Sequence, residues 1–99
     1  MPKASLSHER AANGIARRVG AEYNKDKGVD VVTQFVAIEV ETEITVRSGL
    51  TQLQGHRGPV YIAGSNQAAV AEALEATEGS TVGVMNKDAN VLKESTRRY

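Results

Sequence analysis

The chain contains no cysteine, which excludes both a disulfide framework and a thiolate metal site. That absence fits a reducing compartment, and the expected location is the cytoplasm. No apolar run approaches the roughly 18 residues of a membrane span, and no basic-plus-apolar leader opens the sequence. A membrane is not an expected partner. Net charge is missing too, since 12 Lys and Arg balance 12 Asp and Glu. Total charge therefore gives no argument for a polyanionic partner. The distribution is uneven, however. Arg10, Arg17 and Arg18 cluster early, Arg47, His56 and Arg57 lie mid-chain, and Arg97 and Arg98 come last, whereas Asp30 to Glu43 holds acids and no base. A neutral chain with separated signs can still present a basic face.

What is present is ordinary for a globular protein: 99 residues, 40% hydrophobic and 24% charged. That is enough for one domain with one modest core, read here as 1–99 with 94–99 a loose tail. There is no internal repeat and no low-complexity segment. "SLSHERAANGIARRVG" keeps Leu6, Ala11, Ala12, Ile15, Ala16 and Val19 near helical spacing, with Ser5 or Ser7 as N-cap and Gly20 as stop. "AEYNKD" is an expected exposed strand of poor propensity. "VDVVT" and "FVAIEVET" are better strands, separated only by Thr33 and Gln34, which points to an antiparallel hairpin. Thr45 or Ser48 can cap a short helix through "SGLTQLQGH". "PVYIAGS" reads as a buried, central strand. "NQAAVAEALEATEG" reads as a helix capped by Asn66 and stopped at Gly79. "STVGVMNKDANVLKE" reads as a strand, a turn around Lys87 to Asn90, and a short strand. The sum is a layered α/β domain.

Three acids interrupt the most core-like stretch, "GVDVVTQFVAIEVETE". Side chains alternate along a strand, so Glu39 and Glu41 share a face, roughly 7 Å apart at their backbones. Asp30 can join them from the paired strand. Strand glutamates are more often a solvated edge, but apolar residues on both sides of this strand argue against an edge. Three close carboxylates repel one another and raise some of their pKa values. A hard divalent cation relieves that cost. Mg²⁺ takes oxygen ligands and keeps room for water and phosphate, and Mn²⁺ is the expected substitute.

The order of these acids resembles the PD-(D/E)XK nuclease superfamily, most closely its small archaeal Holliday junction resolvase-like and restriction endonuclease-like members. Glu9 in "SHERAANG" matches the family's helix acid, Asp30 in "GVD" its strand acid, and Glu39 in "AIEVET" the first position of its Glu-x-Lys motif. The Gln of the following helix is matched by Gln52 or Gln54. The likeness runs from about Ser7 to Met85. It implies a restriction endonuclease-like three-layer α/β domain, a mixed central sheet flanked by helices in the order α-β-β-β-α-β-α-β. It also implies a metal-dependent DNA endonuclease that hydrolyses phosphodiester bonds. In that reading Asp30, Glu39 and Glu41 hold Mg²⁺, Glu9 contributes from outside, and Gln52 supports the site.

Glu41 stands where the family carries Lys, the residue thought to position or polarise the attacking water. Some restriction enzymes of the superfamily carry Glu-x-Glu, where the second Glu serves as metal ligand or general base. The alternative is a catalytically inactive nuclease-fold module for DNA binding or assembly. Lys25 or Lys27 are candidates to replace the missing Lys. A domain of this size has little room for sequence readout, so structure-selective cleavage by a homodimer is expected. Arg17, Arg18 and Arg57 are the expected DNA-phosphate contacts. His8 and His56 lack ligand spacing and read as surface residues, and "GSNQ" is too short for a phosphate loop.

Overall fold

The structure, a computed structural model, describes residues 6–20, 23, 29–33 and 36–97. Its elements are α1 (Leu6–Val19), β1 (Val31–Val32), β2 (Ala37–Glu41), α2 (Val46–Leu53), β3 (Val60–Gly64), α3 (Gln67–Ala76), β4 (Gly83–Met85) and β5 (Val91–Lys93). The strands form one five-stranded sheet in the order β1-β2-β3-β4-β5. β2, β3 and β4 run parallel, and β1 and β5 add antiparallel edges. Parallel neighbours need long crossovers, which α2 and α3 supply. The expected central position of the Val60 strand is the one it occupies.

Side-chain alternation divides the core into two halves. Ile38, Val40, Ala63 and Met85 project to one face, where Ala11, Ala12, Ile15 and Ala16 of α1 cover them. The small α1 residues let that helix lie close to the strands. Ala37, Val60, Ile62 and Val84 project to the other face, beneath Val46 and Leu53 of α2 and Ala73 of α3. The domain is thus three-layered, with one helix on one side and two on the other. Burying an Ile or Leu of this core contributes about 1.5–3 kcal/mol each. Gly64 permits the tight join between β3 and α3, because a Cβ there would lie 2.5 Å from the Val70 nitrogen. Among the described residues, no helix is long and apolar enough to cross a membrane.

The ends of the helices follow the sequence in most places. Gly20 and Gly79 carry φ of 76° and 77° after α1 and α3, and the Asn66 side chain accepts from the Ala69 N–H at 2.8 Å. Ser7 lies inside α1 and not at its cap, while Ser5 falls outside the described residues. Ser48 is likewise inside α2. Thr45 occupies the N-cap position, but its hydroxyl makes no capping bond to the helix. It accepts instead from the Thr42 N–H at 2.9 Å and so closes the β2–α2 turn.

Three differences from expectation concern the strands and the chain end. Of "AEYNKD" only Tyr23 is described, as an isolated antiparallel bridge to Val31. The element order is therefore α-β-β-α-β-α-β-β, with β5 a separate strand after the Asn86–Asn90 turn. The hairpin loop is also longer than two residues. Thr33 and Val36 close it, the Val36 N–H donating to Thr33 Oγ1 at 3.0 Å and the Thr33 N–H to the Val36 carbonyl at 2.8 Å. Finally, Ser95 to Arg97 do not form a loose tail. The Thr96 N–H bonds to the Thr81 carbonyl at 2.9 Å, and Arg97 Nη1 donates to the Leu53 and His56 carbonyls at 3.0 and 3.1 Å. Backbone groups at the end of α2 recruit this segment, a tertiary effect with no local signature.

Candidate metal centre

The β1–β2 register pairs Val31 with Ile38 and Val32 with Ala37, which brings Asp30 level with Glu39. β1 stops there, and the Asp30 side chain takes over its role. Asp30 Oδ2 accepts from the Val40 N–H at 2.9 Å, a bond that a longer strand would have made with its backbone. In return the Asp30 backbone hydrogen-bonds the Glu39 carboxyl. Two residues later Glu41 ends β2, and the Thr42–Thr45 turn folds α2 directly back over it. Gly49 of α2 meets the Glu41 side chain so closely that a Cβ there would lie 2.6 Å from Cγ and 2.8 Å from Oε2.

Asp30, Glu39 and Glu41 each offer a carboxylate oxygen, and these atoms all lie within 4.8 Å of one another. Glu39 is 3% exposed and Glu41 8% exposed. Burial pushes the Glu39 carboxyl up from its ordinary 4.5 to about 9, the charges of Asp30 and Glu41 add to the rise, and the Asp30 backbone bond opposes it. Without a cation, Glu39 therefore holds its proton at neutral pH. Its Oε2 is buried and has no hydrogen-bond partner among the described residues. A buried oxygen without a partner is costly, and a bound cation would supply what it lacks. Three convergent carboxylates and an orphaned oxygen fit a metal ion. All-oxygen donors favour a hard dication.

The other expected site residues lie elsewhere. Glu9 is half-buried on α1, the helix that covers the opposite face, and is not one of the three residues within ligand distance. It acts on Tyr23, whose phenol is held above its ordinary value first by burial and then by the charges of Asp30, Glu9 and Glu39. Gln52 and Gln54 are exposed at the end of α2. Lys25 and Lys27 fall outside the described residues. Arg17 and Arg18 end α1, while Arg57 is exposed in the loop between α2 and β3. Tyr23 and Gly49 were not expected at the site. A glycine inside a helix of eight residues was the available signal for the second.

Comparison with protein-family models, with curated proteins and with solved structures finds no match.

Proposed function

We propose that the protein is a Mg²⁺-dependent DNA endonuclease of the PD-(D/E)XK type that hydrolyses phosphodiester bonds. The observation that carries this reading is the buried, unpartnered Glu39 Oε2 within a three-carboxylate set. The placement of the acids supports it: Asp30 beside the first strand of a hairpin, Glu39 and Glu41 on the second, and a helix folded over them. In this reading Asp30, Glu39 and Glu41 would hold the ion, whose charge would favour the ionised form of Glu39. Bound Mg²⁺ or Mn²⁺ supplies charge to the scissile phosphate and lowers the pKa of an attacking water. Glu41, where the resemblance expects Lys, would help hold the ion and would serve as the base for an attacking water. Glu9 and Tyr23 lie on the α1 side, where the Tyr23 phenol feels the charges of Asp30, Glu9 and Glu39. A homodimer is the proposed working unit, since two sites related by a two-fold axis can cut both strands of a duplex or junction.

A second reading is a catalytically inactive module for DNA binding or assembly, favoured by Glu41 itself. The test is incubation with branched, single-stranded and duplex DNA, with and without Mg²⁺ or Mn²⁺. The expected outcome is cleavage that requires the dication, prefers branched DNA and is lost in Asp30→Asn and Glu39→Gln, by a species with the mass of two chains. Absence of cleavage of every form under Mn²⁺ would leave the inactive module, and full activity in both variants would remove these residues from the site.

A further inference from the structure

The α1 face of the sheet, opposite the carboxylates, carries an open cleft of about 810 Å³. One wall is α1, which contributes Arg10, Gly14, Arg17 and Arg18. These positions recur at helical spacing and so share one side of the helix. The turn after β4 adds Lys87 and Asp88, and Ser65, directly after β3, completes the lining. Four cations thus face a single acid in a chain whose net charge is zero.

Two further features of the cleft lack a structural explanation. Ser65 is 9% exposed, and its hydroxyl oxygen is buried without a hydrogen-bond partner among the described residues. Such a group is costly unless something else satisfies it. Gly14 lies in the middle of α1, where glycine is a poor helix former. A Cβ at Gly14 would meet nothing within 4 Å, so packing does not require the glycine. The missing side chain leaves room in the wall of the cleft.

We propose that this cleft is a phosphate-binding site, separate from the metal centre. Arg10, Arg17 and Arg18 present planar forks to the phosphate oxygens, Lys87 adds a further charge, and Ser65 donates its hydroxyl proton. Asp88 approaches Arg18 at 3.9 Å with both side chains half-exposed. An exposed pair of this kind is weak, and an entering phosphate displaces it. Two sources share this chemistry, a free nucleotide and the backbone or terminus of a nucleic-acid strand.

Titration calorimetry with inorganic phosphate, a nucleoside monophosphate and a short 5′-phosphorylated oligonucleotide, all in chelator, tests the site without involving the carboxylates. The proposal therefore stands or falls separately from the nuclease reading. At least one probe should bind. Ser65→Ala should weaken binding by roughly tenfold, and Gly14→Ala should weaken it by narrowing the cleft, both while melting at or above the wild-type temperature. Arg10→Gln and Arg17→Gln, both surface changes, should weaken it as well, and Asp88→Asn should tighten it. Equal affinity for nucleotide and oligonucleotide assigns the site to a free ligand. Much tighter and strongly salt-dependent oligonucleotide binding assigns it to a strand. No binding of any probe, or binding that all four weakening variants leave unchanged, overturns the proposal.

Discussion

Glu39 keeps its proton to about pH 9 in the folded chain, against an ordinary 4.5. Within that window the folded state binds a proton that the unfolded state has lost, so stability without metal falls as pH rises. One proton limits the slope to about 1.4 kcal/mol per pH unit. Thermal melts between about pH 5 and about pH 9 should show this decline in the wild type and not in Glu39→Gln. A saturating dication should remove it, because the ion favours the ionised carboxylate. Parallel melting curves for both proteins in chelator would contradict the buried, protonated Glu39. At this scale the three acids were legible, because alternation alone puts Glu39 and Glu41 on one face and the hairpin adds Asp30. The fit of Glu41 against Gly49 was not, since it depends on how α2 folds back. Tyr23 was not legible either, because its influence comes from a bridge to Val31 in a segment of poor strand propensity.

Secondary-structure elements place these residues, and α2 matters most to the site. Replacing Gly49 with Ala improves helix propensity by about 1 kcal/mol, but the new Cβ overlaps the Glu41 side chain at 2.6–2.9 Å. Overpacking of this kind costs about 1–3 kcal/mol. The expected result for Gly49→Ala is lower stability and a much smaller rise in melting temperature on adding Mn²⁺, since Glu41 is pushed from its place. An unchanged Mn²⁺ response would show that Glu41 is not a ligand. Periodicity made α1, α3, β2 and β3 readable, and Asn66 and Gly79 marked the ends of α3. The shortness of β1 was not readable, because Thr33 closes the hairpin with its side chain and Asp30 replaces the next backbone bond. Nor was the fastening of Arg97, whose carbonyl partners lie 41 and 44 residues earlier in the chain.

For the molecule as a whole, a dication held by the three carboxylates would make its binding and folding a single equilibrium. A dication that binds the assembled site and not the unfolded chain adds about 2.7 kcal/mol at 100 times its dissociation constant. Glu41→Gln should raise stability in chelator and reduce that gain, measured as the difference between melts with and without Mn²⁺. Equal gains in both proteins would remove Glu41 from the site. The hairpin that brings Asp30 opposite Glu39 has a further, kinetic consequence. Its loop is the shortest closure between neighbouring strands in the β1–β4 part of the sheet, whereas β2, β3 and β4 meet only across helical crossovers. Short closures form early in folding and long ones late. Asp30 and Glu39 should therefore come together before the rate-limiting step, and their repulsion should slow refolding more than it speeds unfolding. In stopped-flow experiments at alkaline pH, Glu39→Gln is expected to refold faster than the wild type while unfolding at nearly the same rate.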